Sequence, residues 1–235
     1  MNNILSKLRR DLIAASDEKR KEDTRRYFRE EINPYGLRSS DVSSITKEHF
    51  KALKDKSKSE VFSLCDELWK SGYLEETFVA CEWSYKMHRS FKPEDFKTFE
   101  RWVSDHVNNW ASCDTLCNHT VGEFIEMYPD YLASLKKWAR SENRWVKRAS
   151  AVSLIVPARR GKFLDDVFEI ADILLLDKDD MVQKGYGWML KVASQAHLQE
   201  VFGFVMKRKA VMPRTALRYA IEKMPPEMKK EAMAK

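Results

Sequence analysis

Seven glycines and seven prolines are spread along 235 residues, and their positions limit what can form between them. Pro34 with Gly36, Gly72, Pro93, Pro129, Pro157 with Gly161, Pro213 and Pro225-Pro226 cut the chain into pieces of helical length. Within the pieces, apolar residues recur every three or four positions. Phe62, Cys65, Leu68 and Trp69 form one such stripe, Phe96, Phe99, Val103 and His106 a second, and Phe168, Ala171, Ile173 and Leu175 a looser third. Alternating apolar and polar runs, the mark of half-buried strands, are nearly absent. Ala149 to Val156 could pass for a short strand, but its basic lead-in from Arg144 to Arg148 extends one helical pattern through it. Start signals agree with this division: Ser39-Ser40-Asp41 after the first turn, Lys92-Pro93-Glu94-Asp95, and Ser141-Glu142-Asn143. About a dozen helices result. With no sheet to pack on, they must pack on one another. Antiparallel pairs of roughly 30 to 40 residues fit a HEAT-like helical-repeat solenoid, a superhelix whose concave face is a groove for an extended partner. The expectation is an all-α single domain over residues 1–235, with a compact helical bundle as the alternative.

Composition narrows the class. At 43% apolar and 33% charged residues the chain is that of a soluble folded protein. No apolar run approaches the ~20 residues of a membrane span. The N-terminal segment is interrupted by Lys7, Arg9, Arg10 and Asp11, unlike a secretory leader, so an intracellular, cytoplasmic protein is expected. Cys65, Cys81, Cys113 and Cys117 are then expected as reduced thiols. Residues 1–135 carry 21 Lys+Arg against 24 Asp+Glu, whereas residues 136–235 carry 21 against 12. A basic excess confined to one part of a chain suits a surface that meets a polyanion, of which nucleic acid is the commonest; a merely solvated basic face is the ordinary alternative.

Three segments could carry chemistry. In Val107 to Cys117, a helical conformation puts Trp110 and Asp114 on one face. An ionised carboxylate beside a large aromatic is a costly core pair but a suitable one for holding a cation. The alternative is a helix terminus with Asp114 bonded to backbone or to an arginine. In Gln183 to Lys191, Gly185 and Gly187 each cost ~1 kcal/mol in a helix relative to alanine, so something must approach that backbone closely. Lys184, Trp188 and Lys191 share a face there, an aromatic between two cations that would suit a nucleotide and its phosphates. Glycine-mediated packing with Trp188 in the core is the competing explanation. In Arg144 to Arg148, Arg144 and Arg148 align one turn apart and could follow a phosphate backbone. Cys113, Cys117 and His119 do not have a zinc-site spacing, and no phosphate-binding glycine loop or Ser-His-Asp order is present, so neither metal nor cofactor is expected.

Tyr27-Phe28, Pro34 to Ser39, Glu67-Leu68-Trp69, Trp110 to Asp114, Ser141 to Ala149 and Gly187 to Lys191 follow one another in an order and spacing that resembles the DNA alkylation repair family, the AlkD-type alkylpurine DNA glycosylases. The resemblance runs from about Tyr27 to the end of the chain. It implies a monomeric HEAT-like enzyme that binds duplex DNA and releases 3-methyladenine and 7-methylguanine type bases. It further implies that Asp114, Trp110 and Trp188 surround the lesion nucleotide, that Arg148 is a cationic contact nearby, and that Tyr27 and Ser39 line or flank the DNA surface. Arg144, Lys184 and Lys191 join them as expected DNA-binding residues. Lys191 stands where the family usually has arginine, and Ala111-Ser112-Cys113 replaces a more aromatic and acidic stretch.

Overall fold

The computed structural model describes residues 2–234 and is built from helices and short turns. The one extended pairing among these residues is an isolated bridge between Asn33 and Tyr73. The chain divides into two compact units that meet in sequence at Leu116 and Cys117. The first contains α1 (Asn2–Ala14), α2 (Glu18–Arg26), α3 (Ser39–Phe50), α4 (Lys58–Lys70), α5 (Leu74–Lys86), α6 (Phe96–Asp105) and α7 (Trp110–Leu116). The second opens with a π-helical turn, Cys117–Val121. It continues through α8 (Gly122–Met127), α9 (Leu132–Trp138), α10 (Arg144–Val152), α11 (Ile155–Arg159), α12 (Leu164–Leu174), α13 (Asp180–Ala193), α14 (Leu198–Arg208), α15 (Arg214–Ile221) and α16 (Pro226–Met233).

Side-chain caps start several of these helices. Asp17 accepts from the Arg20 amide, Asn143 from that of Trp145, and Asp179 from those of Met181 and Val182. Ser57 and Glu60 form a reciprocal capping box at α4. Each cap satisfies amides the helix leaves open, typically for ~1 kcal/mol.

Packing repeats in both units. In the first, α3, α5 and α7 lie side by side, and α4 pairs with α5. In the second, α10, α13 and α15 lie side by side, α12 packs on both α9 and α13, and α14 on α15. Helices from successive pairs leaning on one another in this way are the arrangement of a helical repeat. The first core is aromatic: Phe62 sits against Phe91, Phe99 and Trp102, and Leu64, Leu68, Val79 and Val103 complete it. The second is mainly aliphatic, burying Val152, Ile170, Val182, Met189, Leu190 and Leu217 along with Tyr186, whose hydroxyl donates to the Leu175 carbonyl at 3.0 Å.

The structure corrects three sequence-based expectations. The helix expected through Val156 stops at Val152 and restarts at Ile155. Pro157 has no N–H to give the Ser153 carbonyl, so the regular ladder fails there. Of the stripe expected at Phe168, Ala171, Ile173 and Leu175 only Ala171 is buried; the other buried residues of α12 are Val167, Ile170 and Leu174. In α6, Phe96, Phe99 and Val103 are buried as expected, together with Trp102, but His106 does not continue the stripe; it caps the helix and stacks on Trp69 at 6.2 Å. Among the described residues there are sixteen α-helical segments, against the dozen or so expected, and the break at α10 and α11 accounts for part of the difference.

The two glycines of α13 serve packing. A Cβ on Gly185 would stand 3.3 Å from Arg148 Cγ on α10. On Gly187 it would stand 2.7 Å from Tyr219 Cβ and 2.8 Å from the Ala216 carbonyl on α15. Gly203 on α14, by contrast, has nothing within 4 Å of that position. Gly187→Ala is therefore expected to destabilise the protein by about 1–3 kcal/mol through overpacking, whereas Gly203→Ala is expected to stabilise it by about 0.5–1 kcal/mol through helix propensity. Denaturant unfolding of the two variants checks the opposite signs.

Candidate functional site

Asn109 starts α7. Its side chain is buried, accepts from the Ser112 amide at 2.9 Å and donates to Asn108 Oδ1 at 2.9 Å. With the first turn fixed in this way, Ala111, Ser112, Cys113 and Leu116 face the core. Trp110 and Asp114 emerge on the other side one turn apart, Trp110 37% exposed and Asp114 half-buried. The core-facing side of α7 packs on α5.

Trp110 has an aromatic neighbour that sequence reasoning left without a role. Phe28 lies 5.2 Å from it, ring centre to ring centre, with 13° between the planes. One face of the indole is thus covered, and the exposure belongs to the rest of the ring. Tyr27, expected on the DNA surface, is 80% exposed beside Phe28.

Two adjacent buried carboxylates on α5 hold the segment that delivers these rings. Glu75 accepts from the amides of Tyr35 and Gly36 at 2.8 Å each and from that of Leu37 at 3.1 Å. Glu76 accepts from the Tyr35 hydroxyl at 2.8 Å and pairs with Arg9 of α1 through Nε and Nη2 at 2.9 to 3.1 Å. Burial pushes the Tyr35 phenol well above its ordinary range, and its hydrogen bond to Glu76 adds to the shift. The Tyr35 ring stacks on Tyr73 at 4.1 Å. Gly36 has φ +83°, and a Cβ there would lie 2.4 Å from the Asp17 carbonyl at the start of α2. The turn is thereby seated directly on the helix that ends at Tyr27. Ser39 follows, exposed, as the first residue of α3.

In the second unit, Arg148 is 5% exposed and its Nη1 donates to the Met181 carbonyl at 2.5 Å, in the space that Gly185 leaves open. Trp188 is half-buried on α13. The cations expected around it have carboxylate partners. Lys184 Nζ is 3.1 Å from Asp180, and Lys191 Nζ is 2.9 Å from Glu222 and 5.5 Å from the Tyr219 ring centre. Arg144 Nε is 2.9 Å from Asp179, and its guanidinium lies 4.9 Å from the centre of the Trp145 ring. Both readings of the glycine segment therefore hold in part: the glycines are packing devices, while Trp188 stays partly accessible.

The model of the DNA alkylation repair enzyme family matches residues 8–224. The chain belongs to that family. A solved structure described as a predicted DNA alkylation repair enzyme from Enterococcus faecalis superposes with a TM-score of 0.81 at 16% identity, covering 90% of this chain and 97% of the other. That likeness establishes the helical-repeat fold. No curated protein matches the chain. Family membership supports an enzyme of DNA repair with DNA as its substrate. No helix among the described residues is long and apolar enough to cross a membrane.

Sequence reasoning assigned no role to Asn109, Phe28, Glu75 or Glu76; an asparagine directly before a helical segment is a cap signal that could have found the first, and the other three carry no distinguishing pattern. Two variants probe what they do. Glu75→Ala leaves three inward amides without their acceptor, at about 1–3 kcal/mol for each such group. A loss of about 3 kcal/mol or more is expected, with Glu75→Gln milder because its carbonyl still accepts. Denaturant midpoints measure both. Phe28→Ala should cost only about 0.5–1.5 kcal/mol, while shifting the Trp110 indole NMR signal, assigned by its disappearance in Trp110→Phe.

Proposed function

We propose that this protein is a DNA glycosylase that hydrolyses the N-glycosidic bond of cationic N3- and N7-alkylated purines in duplex DNA. The observation that carries the reading is the placement of Trp110 and Asp114, an exposed indole and a carboxylate one turn apart on the open side of a capped helix.

Alkylation at N3 or N7 gives the purine a formal positive charge. When the bond to C1′ breaks, its electron pair goes to the base, which departs neutral and needs no general acid. The difficulty lies in the sugar, which becomes oxocarbenium-like. A carboxylate about 4 Å from such a cation, at an effective dielectric constant of about 20, contributes about 4 kcal/mol, and each 1.36 kcal/mol is tenfold in rate. Asp114 is proposed to supply that charge and to orient the water that adds to C1′, whose proton passes to solvent. Trp110, held on one face by Phe28, offers the remaining aromatic surface to the cationic sugar. Trp188 offers a second aromatic surface to the DNA, and such contacts contribute about 0.5–2 kcal/mol each. Arg148 is a fixed charge, bound to a backbone carbonyl and shielded from solvent. Tyr27 and Ser39, together with Arg144, Lys184 and Lys191, are proposed DNA contacts; the three cations must exchange carboxylate partners for phosphates.

Release of methylated purines from alkylated duplex DNA tests the reading. The wild type should release 3-methyladenine and 7-methylguanine, and Asp114→Asn should do so about 10²–10³-fold more slowly, as loss of one positioned charge predicts, with duplex affinity retained. Equal rates for the two proteins, or efficient excision of uracil or 8-oxoguanine, neither of which is a cationic leaving group, would refute it. A wild type that binds duplex DNA without releasing any base would instead be a DNA-binding member of the same fold.

A further inference from the structure

The basic excess of the second half is not spread evenly over its surface. Lys207 to Glu231 carries eight Lys+Arg against three Asp+Glu. Elsewhere in the second unit, many cations face carboxylates at short range: Arg144 faces Asp179, Lys147 Asp177, and Arg160 and Lys162 both Glu126. Arg214 and Arg218 on α15 differ. Both are exposed, and neither makes an ion pair or side-chain hydrogen bond among the described residues.

Arg214, Arg218 and Glu222 follow at four-residue intervals, so they run along one edge of the helix over about 12 Å. Glu222 closes the row as a single carboxylate shared by several lysines. Lys191 of α13 donates to it at 2.9 Å and Lys223 lies 3.8 Å away. The hydrogen bond from Lys191 is the main cause that holds the Glu222 carboxyl below the usual range, and the charges of Lys191, Lys223 and Lys229 act in the same direction. The row thus joins two unpartnered guanidiniums to a lysine cluster with one acid among them. Its helix is held fast on α13, the helix of Trp188, by the near-backbone contact of Gly187 with Ala216.

We propose that the α15 row is a phosphate-binding track for one strand of duplex DNA, with Arg214 and Arg218 as direct phosphate contacts and Glu222 as a carboxylate that the DNA displaces from Lys191. The proposal rests on the reading of DNA as substrate and extends it to residues to which that reading assigns no role. Guanidiniums offer forked donors that match phosphate oxygens, and a regular row of them suits a regular polyanion better than an irregular acidic protein surface. The close α13–α15 contact fixes the row relative to Trp188 without tying up its charges.

The test is equilibrium binding of unmodified duplex DNA as a function of salt, which needs no catalysis. Removing two phosphate contacts should flatten the slope of log K against log salt by about 1.8, at about 0.9 per contact. Arg214→Gln/Arg218→Gln should show that change with an unaltered unfolding midpoint. Lys54→Gln/Lys97→Gln, which removes the same charge from exposed positions of the first unit, should leave the slope unchanged. Glu222→Gln should bind several-fold more tightly, because Lys191, Lys223 and Lys229 lose their shared carboxylate. A double arginine variant with the wild-type slope, a control pair that flattens it equally, or a Glu222→Gln protein that binds no tighter overturns the proposal while leaving DNA as the substrate. A wild type that shows no salt-dependent binding overturns both.

Discussion

Two neighbouring carboxylates on α5 hold the first unit together. Glu75 and Glu76 are 4% and 1% exposed, and burying ionised groups costs several kcal/mol each unless their oxygens are satisfied. Here they are: three amides of the Tyr35–Leu37 turn converge on Glu75, and Arg9 with the Tyr35 hydroxyl converge on Glu76. These bonds join α1, the 34–38 turn and α5, and through Gly36 they seat α2. The aromatic pair of Phe28 and Trp110 lies at the end of that chain of contacts. A charge network deep in the unit therefore sets the surroundings of a ring at its surface.

The second unit works by close approach. Gly185 admits the side chain of Arg148, and Gly187 brings α13 almost into backbone contact with α15. Each glycine gives up helix propensity, and each is offset by packing that a larger residue would prevent. The surrounding cations are mostly neutralised by carboxylates one helix away. Positive potential remains where those carboxylates are few, so net charge alone is a poor guide to where a polyanion would lie.

The helical class and its repeat were legible because long periodic segments between glycine and proline carry a strong signal. The stripe of α4 shows this, with Phe62, Cys65, Leu68 and Trp69 all buried as their spacing predicts. Phase was lost in α12, where Leu174, Leu175 and Leu176 are chemically alike and only packing selects Leu174 for the core. The family and the Trp110–Asp114 helix could be read from ordered motifs and a four-residue spacing. Phe28 could not be assigned to Trp110, because their contact spans more than eighty residues and nothing local encodes it. Glu75 and Glu76 looked like ordinary acids in a helix's first turn; burial is a tertiary property. Likewise the spacings put Lys184 on a face with Lys191, and Arg144 on a face with Arg148, but gave no sign of Asp179 and Glu222, which meet Arg144 and Lys191 from outside their own helices.

The break between α10 and α11 links two distant positions. Pro157 leaves the Ser153 carbonyl without its helical donor, and a Cβ on Gly122 would stand 2.8 Å from that oxygen. In an evolving lineage these sites are not independent. A side chain at position 122 would press on that oxygen and also on the Cys117 carbonyl, 3.2 Å from the same point, so a regular helix regained by replacing Pro157 would relieve only one of the two contacts. Any descendant that keeps the proline should therefore also keep the glycine, while losing the proline does not by itself free position 122.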